Sequence, residues 1–312
     1  MKDGSVQKKI SVVVATYRRP ESLGECIKAL ASQTRLPDEV MVAMRDDDNE
    51  TRSFLKGFDA GNINLRAVST ARQGKVAALN IALASAEGGI IAFTDDDAEP
   101  RKDWLERIEA RFKADPNVGG VGGRDFLYRE GELQDGRKVN VGRITWYGRL
   151  SGNHHLGFGA PREVEDLKGV NMAFRREAIK AIRFDERLRG TGAQYREDLA
   201  FSLAVREAGW RLIYDPAVAV DHRWARRFDE DQRKTFSAIA VENAAYNETL
   251  VLVEYLPLWK KVVFLIFSIL VGDKFIPGIA QFIRLIPSEG ARAFQRFSAA
   301  LLGRLAGLKA GI

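Results

Sequence analysis

The chain has 312 residues, 46% of them apolar, which allows one large domain or two smaller ones with a substantial core. Its single cysteine, Cys26, excludes an intrachain disulfide and fits a reducing compartment. The formal charge of +6 is uneven: residues 1–222 carry 35 Lys/Arg against 34 Asp/Glu, whereas the stretch from Arg223 onward carries 13 against 8. That basic C-terminal excess suits anionic lipid. Nothing favours nucleic acid, since the chain has no zinc-ligand spacing, no RNP-like aromatic motif and no internal repeat.

The apolar run behind the first lysines is short, turns into a strand pattern and is followed by no small-residue cleavage site, so no signal peptide is expected. "ISVVVATY" (10–17) is β-branched and apolar, the pattern of a strand buried on both faces. Pro20 opens a helix in which Leu23, Ile27 and Leu30 recur at helical spacing. "DEVMVAM" (38–44) predicts a second strand, "NETRSFLKGF" a helix and "INLRAVST" (63–70) a third strand. "KVAALNIALASAEG" (75–88) predicts a helix with Gly88 near its C-cap, and "GIIAFTDDD" a fourth strand. Strands alternating with helices predict an α/β fold with a mostly parallel sheet.

The fourth strand runs straight into Asp95, Asp96 and Asp97. Three adjacent carboxylates repel one another, so they mark either a solvated turn or a site for a hard divalent cation. In open parallel sheets ligands bind beyond the carboxyl ends of the strands, where these residues fall. "VATYRRP" and "MRDDDNE" end neighbouring strands and are expected on the same rim.

Downstream, "VGGVGGRDFLY" is glycine-rich, and a basic, aromatic stretch follows it. "REDLAFSLAVREAG" predicts a helix with Glu197 and Asp198 in its first turn, favourable at the positive helix end. "WRLIYDP" and "AVAVDH" predict two short strands, the second ending at His222 with Asp221 placed to orient the imidazole. From residue 229 the pattern is helical. The apolar run Val262–Val271 is about half of what a membrane span needs, and "RAFQRFSAALLGRLAGLK" is amphipathic. A catalytic domain over 1–228 and a helical, membrane-associated region over 229–312 are expected.

The ordered set "SVVVATYRRPESLGECIKALASQTRLPDEVMV", "KVAALNIALASAEGGIIAFTDDD", "GVNMAFRREA", "FDERLRG…YRED" and "VDH" resembles family 2 glycosyltransferases with the GT-A fold, over roughly residues 9–223. The resemblance implies a Rossmann-like sheet with a C-terminal helical extension, and transfer of one hexose from a nucleotide-diphosphate sugar, a UDP-sugar foremost. It further implies inversion at the anomeric carbon and Mn2+ or Mg2+ as cofactor. Asp95 and Asp97 match the DxD motif, Asp95 toward ribose and metal and Asp97 toward metal, with Asp96 beside them. His222 matches a histidine that often joins the metal. Ala15, Thr16 and Tyr17 match the nucleoside end. Lys75 and Asn80 match "KAGALN", and Gly169, Val170 and Asn171 match a loop near donor sugar and acceptor. Glu197 and Asp198 match the "ED" motif, with Asp198 as general base.

Two departures stand out. Met44 and Arg45 occupy the place of a carboxylate pair that contacts the base, and Ala200 replaces a further acid. Trp146, Tyr147, His154 and His155 are expected on the acceptor side, with core packing the alternative for Trp146. The absence of "QxxRW" points away from a processive synthase. The resemblance thus implies a glycan or lipid-linked acceptor of cell-surface polysaccharide synthesis, met by a cytoplasmic enzyme peripheral on the inner face of the membrane. The C-terminal helices could instead pack on protein. A nucleotidyltransferase or hydrolase using Asp46–Asp48, and a non-catalytic nucleotide-binding scaffold, are the competing readings.

Overall fold

The structure, a computed structural model, describes residues 8–232 and 235–311. Residues 1–7, part of the stretch read for a signal peptide, lie outside the described residues. The first half alternates as expected: β1 (Ile10–Ala15), α1 (Pro20–Ala31), β2 (Glu39–Arg45), α2 (Asn49–Gly57), β3 (Leu65–Thr70), α3 (Lys75–Ser85) and β4 (Ile90–Asp95). Helix α3 stops at Ser85, so Gly88 lies beyond its C-cap, pressed against Ser11 at the entry to β4. There follow β5 (Ala98–Pro100), α4 (Trp104–Ala114), β6 (Val118–Arg129), the short β7 (Glu132–Leu133), β8 (Arg143–Ile144), β9 (Leu150–Ser151) and β10 (Arg162–Val164), then β11 (Asn171–Arg175), α5 (Glu197–Glu207) and β12 (Arg211–Arg223).

The main sheet runs β10-β12-β6-β11-β4-β1-β2-β3. Strands β3, β2, β1 and β4 are mutually parallel, and β11 inserts antiparallel between β4 and β6. Side chains alternate across a strand, so β1 feeds two cores. Ile10, Val12 and Val14 pack with α1 and α4, while Val13 and Ala15 pack with α3, α5 and the first C-terminal helix. This two-sided burial explains why β1, β2 and β4 read as continuous apolar runs.

The glycine-rich stretch forms β6, and the two expected short strands are one bent strand, β12, with a register break between Asp215 and Ala219. At the break the backbones nearly touch. A Cβ on Gly123 would lie 1.8 Å from the Val218 carbonyl oxygen. Glycine is poor in strands generally but is what a close backbone approach requires.

Four helices complete the chain: α6 (Ala238–Tyr255), α7 (Leu258–Leu270), α8 (Ile279–Glu289) and α9 (Ala291–Gly311). Tyr246, Leu250, Val251 and Leu252 of α6 belong to the same apolar core as β1 and α3. Helix α9 lies along α6 through Gly303 and Gly307, whose Cα atoms approach the α6 backbone. Buried Arg304 donates to the carbonyls of Ile276 and Pro277, each at 2.8 Å, and so ties α9 to the α7–α8 connection.

The α6–α9 contact yields a test. A methyl on Gly303 would meet the Glu242 carbonyl oxygen at 2.2 Å. Gly303→Ala is expected to cost roughly 1–3 kcal/mol by overpacking, read as a lower urea midpoint. Gly57→Ala, whose added carbon meets nothing within 4 Å, should leave the midpoint unchanged or slightly raised.

Candidate active site

The carboxyl ends of β1, β2 and β4 and the start of α5 converge on one rim. Asp95 ends β4, and Asp96 and Asp97 turn inward behind it, both buried. Bent strand β12 brings His222 to them. One ligand atom each from Asp95, Asp97 and His222 lies within 4.8 Å of the others, and among the described residues this is the one such grouping. His222 Nε2 is buried, sits 3.3 Å from Asp97 Oδ1 and has no hydrogen-bond partner. An orphaned ring nitrogen aimed between two carboxylates fits a hard divalent cation such as Mn2+ or Mg2+.

The other imidazole nitrogen, Nδ1, lies 3.5 Å from Asp125 Oδ2. Asp125 on β6, fully buried and paired with Lys168, therefore orients the ring. Asp221, the expected partner, points away and pairs with Arg101. Alternation along β12 puts 221 and 222 on opposite faces. Burial pushes the His222 imidazole down, but Asp125 and Asp97 outweigh it and hold it above its ordinary value. Burial raises the Asp97 carboxyl, and His222 and Arg19 more than reverse that, leaving it well below the usual range.

Asp96 faces away from the grouping. Arg19, at the N-cap of α1, reaches it at 2.7 Å, yet burial pushes the Asp96 carboxyl up to about 7. Lys75 opens α3 and bridges Asp95 at 2.7 Å and Glu197 at 3.1 Å. Its position depends on Gly74, in the left-handed region at φ 95°, where a side chain would strike Gln194. Gln194 accepts from the Val76 N–H and donates to the Leu188 carbonyl, both at 2.8 Å, stapling the starts of α3 and α5 together.

Glu197 is buried beside Lys75, and desolvation pushes its carboxyl up to about 7. Asp198, at the next position of α5, faces the open cleft and accepts the Gly169 N–H at 3.1 Å. His154, His155 and Gly169 line the same pocket of about 800 Å³, as does Asp166, whose carboxyl burial holds well above the usual range.

Ala15, Thr16 and Tyr17 line a smaller cavity of about 110 Å³ with Arg45, Lys75, Asp95 and Asp97. Arg45 lies 4.1 Å over the Tyr17 ring and pairs with Asp47 at 2.7 Å and Asp229 at 3.1 Å. Asp48 is consumed as the N-cap of α2, accepting the Thr51 N–H. The Asp46–Asp48 run thus serves a helix cap and an arginine.

Other expected residues lie elsewhere. Asn171 is buried and braces three elements, accepting from Trp104 Nε1 and donating to the Val218 and Arg124 carbonyls. Asn80 pairs with both backbone groups of Phe184. Trp146 is 64% exposed and Tyr147 stacks near Phe267 of α7, both outside the pocket. Arg19, Gln194, Asp125 and Lys168 escaped the sequence reading. Only Arg19, in "YRRP" at a strand end, carried a local signal.

Comparison with known proteins agrees with this geometry. The family model described as "Glycosyl transferase family 2" matches residues 11–183, and the chain belongs to that family. Glycosyltransferase AglE of Haloferax volcanii is 31% identical over 73% of this chain and 70% of its own length. A glucosyl-dolichyl phosphate glucuronosyltransferase of the same organism is 27% identical over 69% of each. Among solved structures, the mannosyltransferase PcManGT of Pyrobaculum calidifontis, in complex with GDP-Man and Mn2+, superposes with a TM-score of 0.59 at 21% identity, covering 98% of this chain and 86% of that one. S. aureus TarS 1–349 with UDP-GlcNAc superposes at 0.61 and 16% identity, covering 96% and 90%. These likenesses establish the GT-A fold.

The state of Glu197 gives a pH-dependent expectation. Its folded pKa, about 7, lies above the ordinary 4.5, so the folded chain holds this proton more tightly than the unfolded chain. The stability it contributes is present at low pH and is lost as pH rises through about 7. With metal chelated, the midpoint of Glu197→Gln relative to wild type should rise by a few degrees between about pH 5 and about pH 8. A pH-independent difference would overturn this account of Glu197.

Proposed function

We propose that this family 2 chain moves one hexose, with inversion, from a nucleoside-diphosphate sugar to a hydroxyl of a lipid-linked acceptor. The observation that carries the reading is the division of carboxylates on one rim: Asp95 and Asp97 gather with His222, while Asp198 lies outside that grouping and lines the larger pocket. A divalent ion held by Asp95, Asp97 and His222 would offset the charge growing on the leaving diphosphate. Lys75, half-buried beside Asp95, adds a fixed positive charge at the same end. Asp198 takes the proton of the acceptor hydroxyl as its oxygen bonds to the anomeric carbon and the bond to the diphosphate breaks on the opposite side. Gly169 N–H holds the carboxylate in place for that transfer.

The donor end has Tyr17 and Arg45 where the base would lie. Arg45 offers only donors, which suits a base carrying carbonyl oxygens. A UDP-sugar meets that requirement and is the donor we favour. The lipid-linked acceptor draws support from the dolichyl-phosphate enzyme among the relatives.

It also draws support from the surface of α7, α8 and α9. Leu258, Trp259, Val262, Ile266 and Ile283 are each at least half exposed. Residues 256–311 carry 8 Lys/Arg against 2 Asp/Glu. No helix among the described residues is long and apolar enough to cross a membrane. Exposed apolar side chains in a basic segment fit a helix pair lying in the interface of an anionic bilayer, which supports the reading of an enzyme peripheral on the inner face of the membrane.

Two experiments test these readings. With UDP-sugars and Mn2+, Asp198→Asn should lower kcat about 10²–10⁴-fold with donor KM nearly unchanged, because Asn is isosteric but takes no proton. Asp97→Ala should remove the Mn2+-dependent part of UDP affinity. Near wild-type turnover of Asp198→Asn at saturating substrates would dismiss it as the base. In co-sedimentation, the full chain should pellet with phosphatidylglycerol vesicles at low salt and less with neutral ones. The double variant Ile266→Glu, Ile283→Glu should stay in the supernatant. Equal pelleting of variant and wild type would end the membrane reading.

A further inference from the structure

The larger pocket does not end at the catalytic rim. Its lining also includes Asn243 and Asn247 of α6, Phe275, on the α7–α8 connection, and Arg292, at the start of α9. Its volume of about 800 Å³ lies in the upper range of small-molecule sites. One cavity is thus lined both by the carboxylate set and by Phe275, an aromatic side chain that is 41% exposed.

The cations along this route are not equivalent. Arg196 is held by Glu248 at 2.6 Å, Arg296 by Glu289 at 3.0 Å, and Lys168 by Asp125. Arg292 alone among these arginines makes no hydrogen bond or ion pair with any described residue, and it is exposed where it lines the pocket. Asn243 of α6 lines the same pocket, and its carboxamide likewise makes no hydrogen bond with a described residue. A guanidinium and an amide with open valences, in a pocket that also holds the carboxylate set and an exposed aromatic ring, match an anion that carries both a hydroxylated head and a hydrocarbon chain. Guanidinium binds phosphate through paired N–H groups, and the first turn of α9 favours negative charge at that point.

We propose that Arg292, with Asn243, is the binding site for the phosphate of a glycosyl isoprenyl phosphate acceptor. A hydroxyl of the sugar on that phosphate would reach inward toward Asp198, and the chain would lie over Phe275. The proposal rests on the lipid-linked acceptor reading above and gives it a residue and a chemistry. The anionic headgroup of a bulk lipid offers the charge without a sugar to fill the pocket. Inorganic phosphate offers the charge without the chain.

The test is direct binding in non-ionic detergent, with no donor and no metal, using farnesyl phosphate, farnesol, inorganic phosphate and a short-chain phosphatidylglycerol as probes. Wild type should bind farnesyl phosphate about tenfold or more tightly than farnesol, the scale of one charge-assisted contact. Arg292→Ala should lose that preference, and Arg292→Lys should keep part of it. Because Arg292 is exposed and makes no hydrogen bond or ion pair with a described residue, neither variant should shift the thermal midpoint. Millimolar inorganic phosphate should not displace farnesyl phosphate, and phosphatidylglycerol should bind no better than farnesol. An undiminished preference in Arg292→Ala overturns the assignment, as does displacement by inorganic phosphate or equal binding of phosphatidylglycerol. Binding of UDP with Mn2+ to the same protein reports separately on the catalytic reading, so either reading can fail alone.

Discussion

The site depends on the management of buried negative charge. Asp95, Asp96, Asp97 and Glu197 crowd one rim, three of them almost wholly out of solvent. Uncompensated, such a cluster could not remain ionised. Lys75 spans Asp95 and Glu197, and Arg19 spans Asp96 and Asp97. The two cations divide the four acids into pairs, and the pairs differ in outcome. His222 and Arg19 hold Asp97 charged, whereas burial pushes Asp96 and Glu197 up to about 7. Ionisation is thus held on Asp95 and Asp97, the carboxylates that gather with His222. The acids behind them approach neutrality, which limits repulsion within the cluster.

That arrangement needs the backbone to bring distant segments within a few ångströms, and the chain does so where it departs from regular geometry. The register break in β12 turns His222 toward β4, and Gly123 leaves room for it. Gln194 and Arg196, non-glycine residues at φ 49° and 74°, form the loop that aims the first turn of α5 at Lys75. Left-handed conformation at such residues costs stability. Here the hydrogen bond of Gln194 with the Val76 N–H of α3 and the ion pair of Arg196 with Glu248 on α6 hold it in place. The strained loop and the bulge flank the clustered carboxylates.

This explains what the sequence revealed. Buried parallel strands are written as apolar runs, so β1, β2 and β4 and their polar ends were legible. The rim position of Asp95 and Asp97 was legible because parallel topology sends strand ends to one side, while the place of His222 beside them came from the family resemblance. Asp125 was not legible. Its approach to His222 depends on the register of β6 against a bulged strand, which no local pattern encodes, and adjacency in sequence pointed to Asp221 instead. The glycines of β6 argued against a strand on propensity, and only the pressing backbone of β12 accounts for them. Asn171 and Asn80 looked like site residues because polar side chains near a site also brace it. Their hydrogen bonds close on Trp104 and on Phe184.

The C-terminal helices are part of the same mechanical unit as the rim. Helix α6 contributes Leu250 and Val251 to the central core on one side and Asn243 and Asn247 to the pocket wall on the other. Asn247 accepts from the Arg189 N–H at 2.7 Å, holding the loop that leads to α5. Glycines let α9 lie close along α6, and Arg304 fixes the α7–α8 connection to α9. Each link is buried, so the apolar face of α7 and α8 has a set orientation relative to Asp198. The pocket wall and the exposed helices therefore cannot move independently: a shift of α7 and α8 against the core would have to break the Arg304 contacts and the close α6–α9 packing together.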